Sequence, residues 1–144
     1  MKVQVKLNNT SVIKARIGIE PGGKAHKFFT STCYRYMGRF VPKGDTSFLN
    51  QNVEIDTDCI IYKSPYAHYQ YIGKLYVDPK YKKGAFYNED YGYWSRPGIT
   101  KIPTSKNLKY HTPGTGSYWD KKMWTSRGKD VLEEVQKYID RGCV

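Results

Sequence analysis

The chain has 144 residues, a length that fits one domain of ordinary size and can bury about 68–70% of the unfolded surface without a metal or disulfide staple. Twenty-four Lys and Arg against 13 Asp and Glu give a net charge of +11, and 15% of the residues are aromatic, too many for a disordered basic tail. A mean hydropathy of −0.71, with no apolar run near the roughly 20 residues of a spanning helix, excludes a helical integral membrane protein.

The opening MKVQVKLNNT alternates polar and apolar residues, unlike the apolar core of a signal peptide, so no leader is expected. Val3, Val5 and Leu7 set a strand with one buried face, ended by Asn8 and Asn9. A less regular apolar stretch from Val12 to Ile19 follows, and Glu20-Pro21-Gly22-Gly23 breaks the chain.

Ala25, Phe29, Cys33, Tyr36 and Phe40 recur at helical spacing and predict a helix from about Lys24 to Phe40. Lys27, Arg35 and Arg39 lie on its other faces. They read as a solvated surface, with a DNA-facing element as the rival reading. Val41-Pro42-Lys43-Gly44-Asp45 is expected to stop the helix.

Phe48 to Ile55 reads as a strand with Leu49, Gln51, Val53 and Ile55 on one face. Asp56-Thr57-Asp58 is a turn signal, and Cys59-Ile60-Ile61-Tyr62 is the return strand of a hairpin. Tyr66 to Gly73 predicts a short helical turn closed by glycine, and Lys74 to Val77 a further strand.

Residues 78–117 hold four prolines and five glycines, which argues against a long regular element there. Lys80, Lys82 and Lys83 cluster around Tyr81, and Phe86, Tyr87, Tyr91, Tyr93 and Trp94 crowd the middle. A long loop inside a domain is usually functional, so 79–116 reads as an ordered Tyr-rich loop insertion that docks on a neighbour, with a floppy insertion as the alternative. Trp119 and Met123 then share a helical face. Ser126 is expected to cap a second helical stretch in which Val131, Leu132, Val135, Tyr138 and Ile139 form an apolar stripe, Glu133 and Lys137 pair, and Gly142 closes the end.

The charge is uneven. Residues 1–43 carry nine Lys and Arg against Glu20 alone, while Asp130 to Val144 is net acidic. A positive field attracts polyanions, but it also matches an acidic patch on a protein partner or on an identical subunit. Lys80, Lys82 and Lys83 are therefore expected to face either DNA or an adjoining ring. Tyrosine suits protein interfaces and stacked bases alike. Without an RNP-like, helix-turn-helix or zinc pattern beside it, protein contact weighs above base contact. The candidate interface residues are Tyr66, Tyr69, Tyr71, Tyr87, Tyr91 and Trp94.

Catalytic patterns do not assemble. Phosphate-binding, zincin, nucleophile-elbow and EF-hand motifs are absent from the sequence. Cys33, Cys59 and Cys143 are odd in number and widely spaced, which reads as reduced structural thiols. His26, His68 and His111 lie far apart, so a small basic hydrolase built on one of them has little support. No catalytic residue, cofactor or metal is expected.

Two segments carry a family resemblance. Pro42-Lys43-Gly44-Asp45-Thr46-Ser47-Phe48-Leu49 follows the first helix, and Pro65-Tyr66-Ala67-His68-Tyr69-Gln70-Tyr71-Ile72-Gly73 follows the hairpin. Their order resembles the minor capsid and tail-completion proteins of tailed bacteriophages, the head–tail joining proteins of the neck. There a PVDTG-x-L turn and a PYA-x-Y-x-x-x-G segment occupy these places. In this chain the turn has an extra residue before Asp45-Thr46, with Ser47 at the glycine position, whereas Pro65, Tyr66, Ala67, Tyr69 and Gly73 fit the second pattern. The resemblance spans roughly 20–78 and 117–141, with 79–116 like the family's variable insertion.

The resemblance implies a structural protein with no enzymatic step. It implies a homo-oligomeric ring at the head–tail junction, assembled in the bacterial host cytoplasm. The partners it implies are copies of itself, neighbouring neck and tail proteins and, non-specifically, packaged double-stranded DNA, with no membrane. The expected fold is α+β, a single head–tail joining domain over 1–144. A small antiparallel sheet would pack against a long N-terminal helix and a C-terminal helix, with the loop insertion between. The rival is a stand-alone basic nucleic-acid-binding module.

Overall fold

The computed structural model describes Gln4, residues 19–43 and residues 49–144. The expected Val3–Leu7 strand, the Val12–Ile19 stretch apart from its last residue, and the Asp45-Thr46-Ser47 turn with Phe48 lie outside the described residues.

Helix α1 spans Lys24–Met37 and begins behind Gly23, whose N–H donates to the Glu20 carbonyl at 2.7 Å. Its inner face buries Ala25, Cys33 and Met37, with Phe29 and Tyr36 partly covered. The helix ends at Gly38, earlier than the expected Phe40. The chain then turns, so Phe40 and the fully buried Val41 pack as loop residues, and Pro42 lies beyond the stop rather than causing it. Two buried threonines satisfy themselves: Thr32 donates to the Phe28 carbonyl at 2.7 Å and Thr30 to the Thr57 carbonyl at 2.6 Å.

Strands β1 (Val53–Ile55) and β2 (Ile60–Tyr62) pair antiparallel, with Glu54 opposite Ile61. The expected first strand was longer. Leu49 is buried, but the following residues turn, and Gln51 and Ile55 are exposed. Helix α2 (Ala67–Ile72) closes on Gly73, whose φ of 74° is left-handed. A Cβ at Gly73 would lie 2.7 Å from the Ser117 Cβ, so both backbone strain and a clash oppose any side chain there. Gly73→Ala is expected to cost about 1–2 kcal/mol or more, read from the midpoint of urea unfolding; a neutral result would mean that this turn is not under strain.

Strand β3 (Lys74–Val77) pairs antiparallel with β6 (Ile102–Asn107), and the register slips between Lys74 and Tyr76. The Thr104 hydroxyl fills that bulge by donating to the Leu75 carbonyl at 2.7 Å. Between them, β4 (Phe86–Asn88) and β5 (Gly92–Trp94) form a hairpin, with Gly92 at φ 77°. The region 79–116 is thus not an unbroken loop: it supplies a hairpin and an outer strand. The strands form three separate pairs rather than one sheet.

Helix α3 runs unbroken over Trp119–Asp140, and α1 packs along it. Ser126 does not cap a second stretch. It sits exposed inside the helix, which continues through the buried Gly128 beneath the Trp124 ring. Gly142, at φ 75°, follows the helix end as expected. The core joins Cys33, Met37, Val41, Leu49 and Ala67 to Trp119, Met123 and Val131 on α3. Met123 and Val131 are fully buried, each contributing about 1.5–3 kcal/mol of transfer free energy. Leu132, placed in the apolar stripe by spacing, is 57% exposed. Across the helix pair, Arg35 and Tyr36 of α1 both engage Glu134 on α3, the Tyr36 hydroxyl donating at 2.5 Å, so Glu134 rather than the neighbouring Glu133 makes the ionic contact between the helices. The α+β class is therefore realised by two helices bearing small antiparallel strand pairs.

Candidate interaction surface

The basic aromatic segment after β3 is organised by Asp78. The end of β3 carries Asp78 into a tight turn whose N–H donates to the Lys83 carbonyl at 2.8 Å, while the Lys82 N–H donates back to the Asp78 carbonyl at 2.8 Å. The Asp78 carboxylate, only 3% exposed, accepts the N–H groups of Lys80 and Tyr81 at 2.8 and 3.1 Å. It also accepts both arms of Arg96, Nε at 2.6 Å and NH2 at 2.8 Å. This bidentate pair closes the segment, because Asp78 precedes the β4–β5 hairpin and Arg96 follows it. Hydrogen bonding from Arg96, against the opposing effect of burial, holds the Asp78 carboxyl well below the usual carboxylate range.

An aromatic stack fixes the hairpin onto that clamp. The Arg96 guanidinium lies 5.0 Å from the Tyr81 ring centroid, Tyr81 meets Phe86 edge-on at 5.5 Å, and Phe86 lies 4.9 Å from Trp94. The Lys101 ammonium donates to the Gly84 carbonyl at 2.5 Å and ties the base of the hairpin to the chain leading into β6. Strand alternation then sends the Phe86–Trp94 pair to one face and the Tyr87–Tyr93 pair, 5.2 Å apart, to the other. Tyr87, Tyr91 and Tyr93 are 65%, 66% and 78% exposed. Lys80, Lys82 and Lys83 project beside them. Lys80 and Lys83 lie over the Tyr81 and Phe86 rings, and Lys82 takes a left-handed backbone at φ 56°. The result is a rigid basic wing with an exposed tyrosine face.

The tyrosines expected at an interface separate into two groups. Tyr87 and Tyr91 are open on the wing, where Trp94 is 38% exposed, and Tyr66 is 62% exposed beside α2. Tyr66 also lines a groove of about 340 Å³ with Lys43, Lys109 and His111. Tyr69 is half-buried, its ring edge-on to Tyr76 at 4.8 Å. Tyr71 is a packing residue instead. Its ring meets Trp119 at 5.0 Å, its hydroxyl donates to Asp120 at 2.9 Å, and burial with that carboxylate pushes its phenol up to about 12. Spacing could not separate Tyr71 from Tyr69, because a six-residue helix has no room for a clean amphipathic period. Tyr93 and Arg96 were not singled out as site residues. The signal was present in Asn88-Glu89-Asp90-Tyr91-Gly92, whose glycine in the left-handed position is the mark of a three-residue hairpin turn.

Other reactive groups do not converge. His26 lies on α1, His68 on α2 against Tyr69 and Tyr76, and His111 in the segment before α3. Cys33 and Cys143 are buried, and burial raises the Cys33 thiol to about 11. Asp56, Asp58 and Cys59 place their ligand atoms within 4.8 Å of one another at the exposed β1–β2 turn, but local desolvation and the adjacent carboxylates raise the Cys59 thiol and keep it protonated, which disfavours metal ligation. Among the described residues no helix is long and apolar enough to cross a membrane. Comparison of the chain with protein-family models, curated proteins and solved structures finds no match.

Proposed function

We propose that this chain is a structural component of a tailed-bacteriophage virion, a ring-forming head–tail joining protein at the neck through which the DNA path runs. The observation that carries this reading is the basic wing. Three tyrosines between 65% and 78% exposed sit on a hairpin held rigid by the Asp78–Arg96 pair, a surface suited to protein contact. The resemblance of the Pro65–Gly73 segment to tail-completion proteins supports it. In this chain that segment is α2 with its left-handed Gly73, a scaffold turn that packs Ala67 and Tyr71 against the core.

A ring needs unlike patches that meet and close, and this chain carries both signs of charge on separate elements. Light scattering and negative-stain imaging of the purified protein test the reading: the expected result is a closed oligomer with weak binding to duplex DNA. A persistent monomer that binds duplex tightly, with a steep loss between two salt concentrations, would instead establish a free nucleic-acid-binding module. In a producing phage, loss of the gene is expected to leave unjoined heads and tails.

A further inference from the structure

Two surfaces of this chain are matched in charge and in apolar character, and they lie on different elements. The wing presents Lys80, Lys82 and Lys83, all exposed and none in an ion pair, next to Tyr87 and Tyr93. Its only acid in the clamp, Asp78, is already consumed by Arg96. The β1–β2 hairpin presents the opposite charge. Glu54, Asp56 and Asp58 are exposed on it, with Ile55 and Ile61 41% and 45% exposed alongside. Lys63 partners Glu54 at 2.6 Å, whereas no lysine or arginine among the described residues pairs with Asp56 or Asp58.

The hairpin tip is as firmly held as the wing. The Asp56 N–H donates to the Cys59 carbonyl at 2.9 Å, the Thr57 N–H to the Asp56 carboxylate at 2.7 Å, and the Thr57 carbonyl accepts the Thr30 hydroxyl of α1 at 2.6 Å. Both surfaces are therefore pre-organised, which lowers the ordering cost of bringing them together. Among the described residues no ion pair joins them within one chain.

We propose that the basic tyrosine wing of one copy docks on the acidic β1–β2 tip of the next copy, Lys80, Lys82 and Lys83 facing Asp56 and Asp58 while Tyr87 and Tyr93 cover Ile55 and Ile61. The proposal rests on the ring-forming reading and names the contact that propagates the ring. Exposed ion pairs are individually weak, but pairs covered by aromatic and aliphatic side chains lose water, and like charges placed there are costly. The contact is heterologous: each copy offers one wing and one tip, so it repeats around a ring.

Charge exchange between two variants is the test. One carries Lys80→Glu, Lys82→Glu and Lys83→Glu; the other carries Asp56→Lys and Asp58→Lys. Each alone is expected to self-associate about a hundredfold more weakly than the wild type. An equimolar mixture is expected to regain wild-type association, because every wing then finds a tip of opposite sign in the other variant. Should the glutamate variant fail to fold beside Asp78, Lys→Gln at the same three positions is expected to give a smaller loss in the same direction. Variants that associate like the wild type, or a mixture that is not rescued, would overturn the proposed contact and leave the ring reading standing. A wild type that stays monomeric at high concentration would overturn both. Loss of duplex binding with association intact would assign the wing to DNA and overturn the proposal.

Discussion

Replacing Trp119 with alanine is expected to destabilise the protein by about 3–5 kcal/mol, the range for truncating a large buried aromatic. Trp119 is 3% exposed and opens α3 at the point where three other elements meet. Its indole receives the edges of Tyr62 from β2 at 5.2 Å and Tyr71 from α2 at 5.0 Å, and it shares the core with Met37 of α1. Removing it leaves a cavity that three elements must close at once. It also removes a ring contact from Tyr62, whose hydroxyl is already buried without a partner. Guanidinium unfolding of the variant measures the loss. Trp119→Phe is expected to recover part of it by keeping a ring in place, and a loss below about 1 kcal/mol for the alanine variant would mean that the site collapses without cost.

Neutralising Asp78 is expected to release the wing while leaving the two-helix core folded. In Asp78→Asn the Arg96 guanidinium loses its bidentate carboxylate, and the turn through Lys80 and Tyr81 loses its charged acceptor. Hydrogen exchange should quicken across 78–96 and stay slow in α1 and α3. Uniform protection in the variant would show that the aromatic stack alone holds the hairpin. The pH dependence has a fixed sign. The folded pKa of Asp78 lies below its unfolded value, so its stabilisation is fully present above the ordinary carboxylate range, near pH 4, and is lost as pH falls through the folded value. Glu134, also lowered by its bonds to Tyr36 and Arg35, contributes in the same direction. The difference between wild type and Asp78→Asn therefore isolates the Asp78 share: the wild type should lose more stability than the variant on acidification. An identical acid slope in both proteins would mean that Asp78 is not selectively charged by the fold.

The wing and the core differ in how far they can be read from residues alone. For α1, the apolar spacing from Ala25 to Tyr36 points to the buried face, and only the end was misplaced, because Gly38 releases the helix before Pro42 can. The β1–β2 hairpin is marked by its turn residues, but the first strand is shorter than alternation implies, since Gln51 and Ile55 face solvent. Strand β6 carries almost no signal. Ile102-Pro103-Thr104-Ser105-Lys106-Asn107 is mostly polar and largely exposed, and it is a strand because β3 pairs with it and Thr104 fills the bulge. In α3, Ser126 and Gly128 look like a break. Packing along α1 carries the helix through them, because most helical stability in a protein comes from the packed face rather than from local propensity.

The sequence by itself determined the α+β class, the two long helices, the β1–β2 turn, the glycine-closed α2 and the presence of a basic, tyrosine-rich segment between β3 and α3. Each of these is written in local spacing or in turn chemistry, which act over a few residues. Only the tertiary structure decided that α3 is continuous, that Tyr71 packs in the core while Tyr87 and Tyr93 stand open, and that the lysine turn is rigid. Those outcomes depend on partners far along the chain: Asp78 with Arg96 across 18 residues, Thr104 with Leu75 across 29, Tyr71 with Asp120 across 49. A side chain's burial or charge state is set by what the fold brings against it, and no periodicity within one segment encodes that neighbour.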